Sequence, residues 1–397
     1  LALVTGGAGE LDAGRAEENG CIPLVPRKVP DGISESDERR FWSVVSEELS
    51  DEQKARIATP ARTFPRQEAV LAVHWHPEHV PMDLIRKRID ATFPGRKTEL
   101  IIPTQHNELM AYGDYTGVEV DCYSLGFNQK VQLLLHFESE RAADAAVLKE
   151  MLAHTFKYRS SQLFDFIRTL TDPVKERLDR AARETGANPA LVDFVRAYVG
   201  KIADLLDRRA DRIPTRSIKN KVLRNFFDTL RPDYGDALID RSQMFLTAVK
   251  KIVKAHFPPQ YFYRTSEVIE EARSLGAGIV IPHPEQFWPV LLADYDVDGI
   301  EVWNPQSRQY TQFLISVLKD KNRRRAGAKR PLLIFMGDDT HMAEKTRDPA
   351  DQKPEKANRE IGRQPAWDDL TIRKVLIMAK SSRRQVISAY KERLAGG

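Results

Sequence analysis

Short apolar runs along this chain repeatedly end on a residue able to bind a metal ion, and that recurrence limits the fold more than any other feature. Ala69-Val70-Leu71-Ala72-Val73 runs directly into His74, and Leu100-Ile101-Ile102 precedes His106. Val131 to Leu135 leads to His136, Gly278-Ile279-Val280-Ile281 to His283, and Leu332-Leu333-Ile334-Phe335 to Asp338. Runs of this length read as buried strands. Helix-patterned stretches such as Pro81–Phe93 and Thr265–Leu275 lie between them, giving the alternation of strand and helix that an α/β fold needs. In a barrel of parallel strands the C-terminal strand ends form the functional mouth, and these polar residues fall there.

The chain has nine histidines. His74, His76, His106, His136, His283 and His341 lie at or near the strand ends, beside Glu119 and Asp339. Neutral imidazoles suit zinc, iron or manganese, and carboxylates can be shared between two close ions. One histidine on an apolar strand is usually a satisfied core residue, but that explanation does not stretch to the whole set. Trp75, between two candidate ligands, points away from them on a strand and reads as a packing residue.

Composition narrows the class. With 397 residues, 42% hydrophobic and 30% charged, the chain reads as globular and too long for one ordinary core. No run approaches the roughly 20 apolar residues of a membrane span, and the opening segment lacks the pattern of a secretory leader. Cys21 and Cys122 are too few for a disulfide framework, so a cytoplasmic setting is expected. The formal charge of +4 permits an anionic substrate without demanding nucleic acid. Val4-Thr5-Gly6-Gly7-Ala8-Gly9 looks like the start of a dinucleotide loop, but no βαβ unit follows.

The ordered set resembles the polymerase-and-histidinol-phosphatase (PHP) superfamily of metallophosphoesterases. The resemblance runs through Val73-His74-Trp75-His76, Ile102-Pro103-Thr104-Gln105-His106, Gly117-Val118-Glu119-Val120 and Leu134-Leu135-His136. It continues in Ile281-Pro282-His283-Pro284, Asp298-Gly299-Ile300-Glu301-Val302 and Asp338-Asp339-Thr340-His341. It implies an α/β fold, a distorted seven-stranded (β/α) barrel with a helical insertion and helical N- and C-terminal extensions. It also implies two or three divalent ions (Zn, Mn or Fe). His74, His76, Glu119 and Asp339 would hold the first; Glu119 would bridge to a second, held also by His136 and His283; His106 and His341 would belong to a third. Two departures stand out. Gln105 replaces the family's Asp, and the residue completing the third site has no clear counterpart. Glu78, His79 and Asp83 are candidates, with His79 preferred. Glu301 is expected to support the barrel mouth or bind a neighbouring backbone.

The expected organisation is an N-terminal tail and short helices over 1–67 and a metallohydrolase barrel over 68–345. A helical insertion over 140–257 interrupts the barrel, and a linker with a C-terminal helix follows over 346–397. Ser50-Asp51-Glu52-Gln53 has capping-box spacing. The expected function is hydrolysis of a phosphomonoester or a nucleotide or oligonucleotide phosphoester through a metal-bound hydroxide, with no single protein base assigned. An amidohydrolase-like enzyme is the first alternative, although no Lys sits at a strand end. A non-catalytic, metal-containing nucleic-acid-binding module is the second. Basic runs around Arg208–Arg224 and Lys319–Arg330 read first as solvated faces, and otherwise as guides for a phosphate backbone.

Overall fold

A computed structural model describes residues 29–327 and 329–396. The readings placed on Val4 to Gly9 and on Cys21 lie outside the described residues. The architecture is mixed α/β. Its strands are β1 (Ala69–Ala72), β2 (Trp75–His76), β3 (Thr98–Ile101), β4 (Met110–Tyr112) and β5 (Tyr115–Ser124), then β6 (Gln129–Glu138), β7 (Gly278–Ile281), β8 (Gly299–Trp303), β9 (Leu333–Met336) and β10 (Thr340–His341). β4 to β9 form one six-stranded sheet in sequence order, while β1 pairs with β3 and β2 with β10.

These strands do not make the closed seven-stranded barrel expected from the sequence. Isolated backbone contacts join the three sheets where continuous ladders would close a barrel: Thr104 N–H to Trp75 O at 2.8 Å, and a bridge in which Glu119 N–H donates to Gln105 O at 3.0 Å and Asn107 N–H to Glu119 O at 2.7 Å. The ladders stop because the chain turns through left-handed conformations at Glu78 (φ 56°), Asn107 (φ 54°), His283 (φ 26°) and Asp339 (φ 47°). A residue in that region cannot continue a strand, and each of these four is, or adjoins, a candidate ligand.

β5 and β6 form an antiparallel hairpin, with Glu119 opposite Leu134 and His136 opposite Gly117. β6 is also antiparallel to β7, and His136 faces Gly278, the first residue of β7. β7, β8 and β9 are mutually parallel. The C-terminal end of β6 therefore lies at the opposite end of the sheet from that of β7.

The sheet core is built from Leu134, Ile279, Ile300 and Phe335 with Leu314, Ile387 and Tyr390 from flanking helices. Burying such side chains contributes about 1.5–3 kcal/mol each. Helices Ala146–Thr171, Lys175–Thr185, Pro189–Arg208, Lys221–Asp228 and Asp236–Ala255 enclose a second core around Phe166, Phe194, Phe226 and Phe245. Phe41 and Val45 of helix Glu35–Val45 complete that core, so the N-terminal helix packs with the inserted ones. Capping boxes at Ser34 and Ser50 open the first two helices.

Near the C-terminus the helical pattern divides into Leu370–Met378 and Arg383–Ala395, with Lys380 left-handed at the break. Before them, the stretch read as a linker is anchored. Glu360 is buried against Arg88, whose Nε donates to it at 2.7 Å. The same guanidinium donates to the carbonyls of Ile57 and Thr59. Among the described residues no helix is long and apolar enough to cross a membrane.

Removing one member of a buried ion pair strands the other. Arg88→Met leaves Glu360 with Lys345 Nζ at 3.2 Å, so it should lower stability toward the low end of about 3–5 kcal/mol, read as a drop in the denaturation midpoint. The double change Arg88→Met with Glu360→Leu should recover little of that loss, because it also takes the carboxylate from buried Lys345.

Candidate metal centre

β1 ends at Ala72, and two residues on the chain brings His74 and then the Trp75–His76 strand inward. Trp75 is fully buried and packs edge-on against Tyr112 at 6.0 Å, so its two neighbours face the other side. His74 places Nδ1 2.7 Å from Glu301 Oε1, which leaves Nε2 directed at Asp339 Oδ1, 3.8 Å away. His76 Nε2 lies 3.4 Å from that same Oδ1 and 3.6 Å from Glu119 Oε2. The His76 ring is stacked between those of His106 and His341, with centroids 4.4 and 4.2 Å away. His106 Nδ1 approaches Glu119 Oε2 to 2.7 Å, His283 Nε2 lies 3.4 Å from Glu119 Oε1, and His341 Nε2 lies 3.4 Å from Asp339 Oδ1.

Proximity here does not mean hydrogen bonding. His74 Nε2, both ring nitrogens of His76, His106 Nδ1, His283 Nδ1 and both carboxylate oxygens of Glu119 are buried with no hydrogen-bond partner. An unpartnered buried polar group costs about 1–3 kcal/mol, so several together call for a common ligand. Among the described residues three groups place one donor atom from each member within 4.8 Å of one another: His74, His76 and Asp339; His74, Glu119 and His283; His76, His106 and His341. The groups overlap, so the atoms form one continuous centre.

The ligating atoms are oriented from behind. Asp339 turns Oδ1 toward the three imidazoles, while Oδ2 accepts from Gln306 Nε2 at 2.9 Å and Arg359 Nη1 at 2.8 Å. Glu301 accepts from His74 with one oxygen and from the His283 backbone N–H, at 2.9 Å, with the other. This is the supporting role expected for it. Gly337 leaves room for that carboxylate, because a Cβ there would collide with it. Asp338 accepts from Gly362 N–H and from Gln364 Nε2, tying the C-terminal segment to the strand end. Burial pushes its carboxyl up to about 7, against the pull of those hydrogen bonds. Arg359, Gln306 and Gln364 carry no sequence signal, since each belongs to a loop or a segment read as a linker.

Two expectations fare differently. His136 stands apart from the centre: its Nε2 is 2.9 Å from Val73 O and its Nδ1 2.7 Å from Tyr390 Oη. Both nitrogens are occupied because antiparallel β6 delivers this residue to the wrong end of the sheet. His79 is also absent from the groups. Its neighbour Glu78, in a left-handed turn, places Oε1 3.4 Å from His341 Nδ1 and accepts from Ala343 N–H at 2.7 Å. Gln105 holds that turn by accepting from Glu78 N–H at 3.2 Å. Asp83 is exposed on helix Met82–Thr92.

The electrostatics follow from burial set against two carboxylates. Burial pulls His74 down, but Glu301 and Asp339 outweigh it and raise the imidazole to about 10. Burial likewise opposes Asp339 and Glu78 at His341, which ends raised to about 9. Burial and the charges of His341 and His106 push His76 down to about 3. Glu119 and Asp339 are held well below the usual carboxylate range despite burial, by His106 and by His341 with His76 respectively.

No protein-family model matches the chain, and no curated protein does. Among solved structures it is similar to a Bifidobacterium adolescentis protein provisionally named a metal-dependent phosphoesterase. The identity is 16% and the TM-score 0.37, over 80% of this chain and 97% of that one. A likeness at that score carries neither fold nor activity across, so the reading of the site rests on its own geometry.

Glu301→Gln should weaken divalent-ion binding about 10–100-fold, the range for a partner that orients a ligand. His136→Asn should leave metal content unchanged, whereas His283→Ala should reduce it; equal losses in both would refute the separation drawn here. A pH dependence follows as well. A raised imidazole pKa means a proton competes with the ion, so affinity falls as pH falls. His74 and His341 should each release a proton on ion uptake at pH 7, and affinity should climb about tenfold per proton per pH unit below about 9. Calorimetry in buffers of different ionisation enthalpy counts those protons.

Proposed function

We propose that this chain is a metal-dependent phosphoesterase of the PHP type, hydrolysing a phosphomonoester or nucleotide phosphate. The observation that supports this most is the set of buried imidazole and carboxylate atoms on His74, His76, His106, Glu119 and His283 that have no partner within the protein. A nitrogen-and-carboxylate donor set of this kind suits Zn, Mn or Fe. His74, His76 and Asp339 would hold one ion, and Glu119 and His283 a neighbouring one. His106 and His341 with His76, closed by Glu78, would hold a third. Bound there, divalent ions supply an acidified water and a clamp for phosphate oxygens.

The protein's share of the work is orientation. Glu301 fixes the proton of His74 on Nδ1 and frees Nε2 as a donor. Gln306 and Arg359 hold Asp339 so that only Oδ1 faces the imidazoles. Arg359 also brings a guanidinium, 8% exposed, to the edge of the centre, where it can meet charge developing on a phosphoryl oxygen. Cys122 is a buried free thiol, which fits work in a reducing compartment such as the cytoplasm.

Protein reconstituted with Mn, Zn or Fe should retain two or three ions per chain and hydrolyse an aryl phosphate, and chelation should abolish turnover. Elemental analysis finding no bound divalent ion, together with no turnover after reconstitution, would overturn the reading.

A further inference from the structure

Beside the metal centre lies a small cavity of about 120 Å³. Glu78 and Gln105 form its inner wall, and Glu47, Arg216, Lys219 and Lys221 with Arg347 of the C-terminal segment bring the other charges to its lining. Glu78 is the partition, since its carboxylate is spent on His341 and on Ala343 N–H. The cavity therefore shares Glu78 with the edge of the metal centre and otherwise lies outside it.

The charges around it do not balance. Arg216 is compensated by Glu47 at 3.6 Å and Glu108 at 3.4 Å and donates to Glu78 O at 2.7 Å. Arg347 has Glu344 at 3.8 Å. Lys219 and Lys221 are different: among the described residues, neither ammonium has an ion-pair or hydrogen-bond partner. Burial lowers both against the pull of Glu78, helped by the charge of Arg159 at Lys219 and by that of Lys219 at Lys221, which falls to about 8. Arg159, on helix Ala146–Thr171, likewise lacks a carboxylate partner, and its charge acts on both His106 and Lys219. Uncompensated cations are common on open surfaces. Here Lys219, half-buried, and Lys221, more exposed, border one space the size of a phosphoryl group, too small for a nucleobase or a length of polymer.

We propose that Lys219 and Lys221 form a second anion subsite, so that the preferred substrate is a small molecule carrying two phosphates. One phosphate would lie at the metal centre and the other between the two ammonium groups, with Arg159 adding to the field. The inference rests on the phosphoesterase reading of the neighbouring centre. It makes the inserted helices a source of specificity, since they contribute both lysines.

The test has two arms. Equilibrium dialysis with inorganic phosphate should find two equivalents bound to the metal-loaded protein and one after chelation. The chelation-resistant equivalent should vanish in the Lys219→Ala, Lys221→Ala double variant and return with Lys219→Arg, Lys221→Arg. In the second arm, kcat/KM is compared for fructose 1,6-bisphosphate and fructose 6-phosphate. The wild type should favour the bisphosphate, and the double alanine variant should lose that preference about tenfold or more, the scale of a lost charged hydrogen bond. An unchanged ratio, or no chelation-resistant phosphate, overturns the subsite. Tighter, lysine-dependent binding of a short single-stranded oligonucleotide than of the bisphosphate overturns it in favour of a nucleic-acid surface. Lack of turnover on every phosphoester would count against the phosphoesterase reading alone, because the dialysis arm reads the subsite without catalysis.

Discussion

The carboxylate of Glu301 is the point on which the centre depends. It lies on β8, fully enclosed, accepting from the side chain of His74 and from the backbone of His283. One residue thus fixes the proton position on one candidate ligand and the strained main chain of another. The cost of that arrangement is visible on the neighbouring strand. Gly337 follows β9 where any larger residue would strike the carboxylate, and Asp339 lies two residues beyond it in a left-handed turn. A buried carboxylate left without such partners would be strongly destabilising. The joint between β1, β7, β8 and β9 is therefore set by hydrogen bonding as much as by apolar packing.

The same reasoning explains why the strands stop short of closing a continuous barrel. A strand ladder satisfies backbone groups but holds side chains at fixed alternation. Bringing His74, His76, His283 and Asp339 within reach of common points requires the chain to leave the ladder at those residues. The left-handed conformations of His283 and Asp339 do that, each costing on the order of 1–3 kcal/mol. Ion binding is the natural compensation, because free energy of binding at a site assembled only in the folded state is also free energy of folding.

How much of this was legible in the sequence depended on whether the signal was local. Apolar runs ending on His74, His106 and His283 were readable because strand periodicity and chemistry coincide within a few residues. His136 misled because it satisfies the same local pattern on a strand that runs the other way, and strand direction is set by the β5–β6 hairpin and not by the run itself. The choice between His79 and Glu78 was hard to read for a similar reason. A left-handed turn at Glu78 sends that carboxylate toward His341, and nothing in Pro77-Glu78-His79 announces the turn. The barrel was implied by the family resemblance, whose short motifs say nothing about where ladders break.

The segments outside the strand pattern carry the remaining parts of the centre, and they enter by long-range electrostatics. Arg359 reaches Asp339 from a stretch whose composition reads as linker, held in place by Gly362 N–H on Asp338 and by Glu360 on Arg88. Arg216 reaches the Glu78 carbonyl from the inserted helices, and Lys219 follows three residues later. A strand-end cluster that concentrates Glu119, Asp339 and Glu78 around imidazoles needs cations at its rim, and the core of the sheet cannot supply them without burying unpaired charge. Helical segments whose own apolar core lies elsewhere can present long basic side chains at that rim while keeping their stems packed. The division of labour follows from solvation: the sheet fixes the ligands, and the inserted and C-terminal segments set the field that an anionic substrate meets.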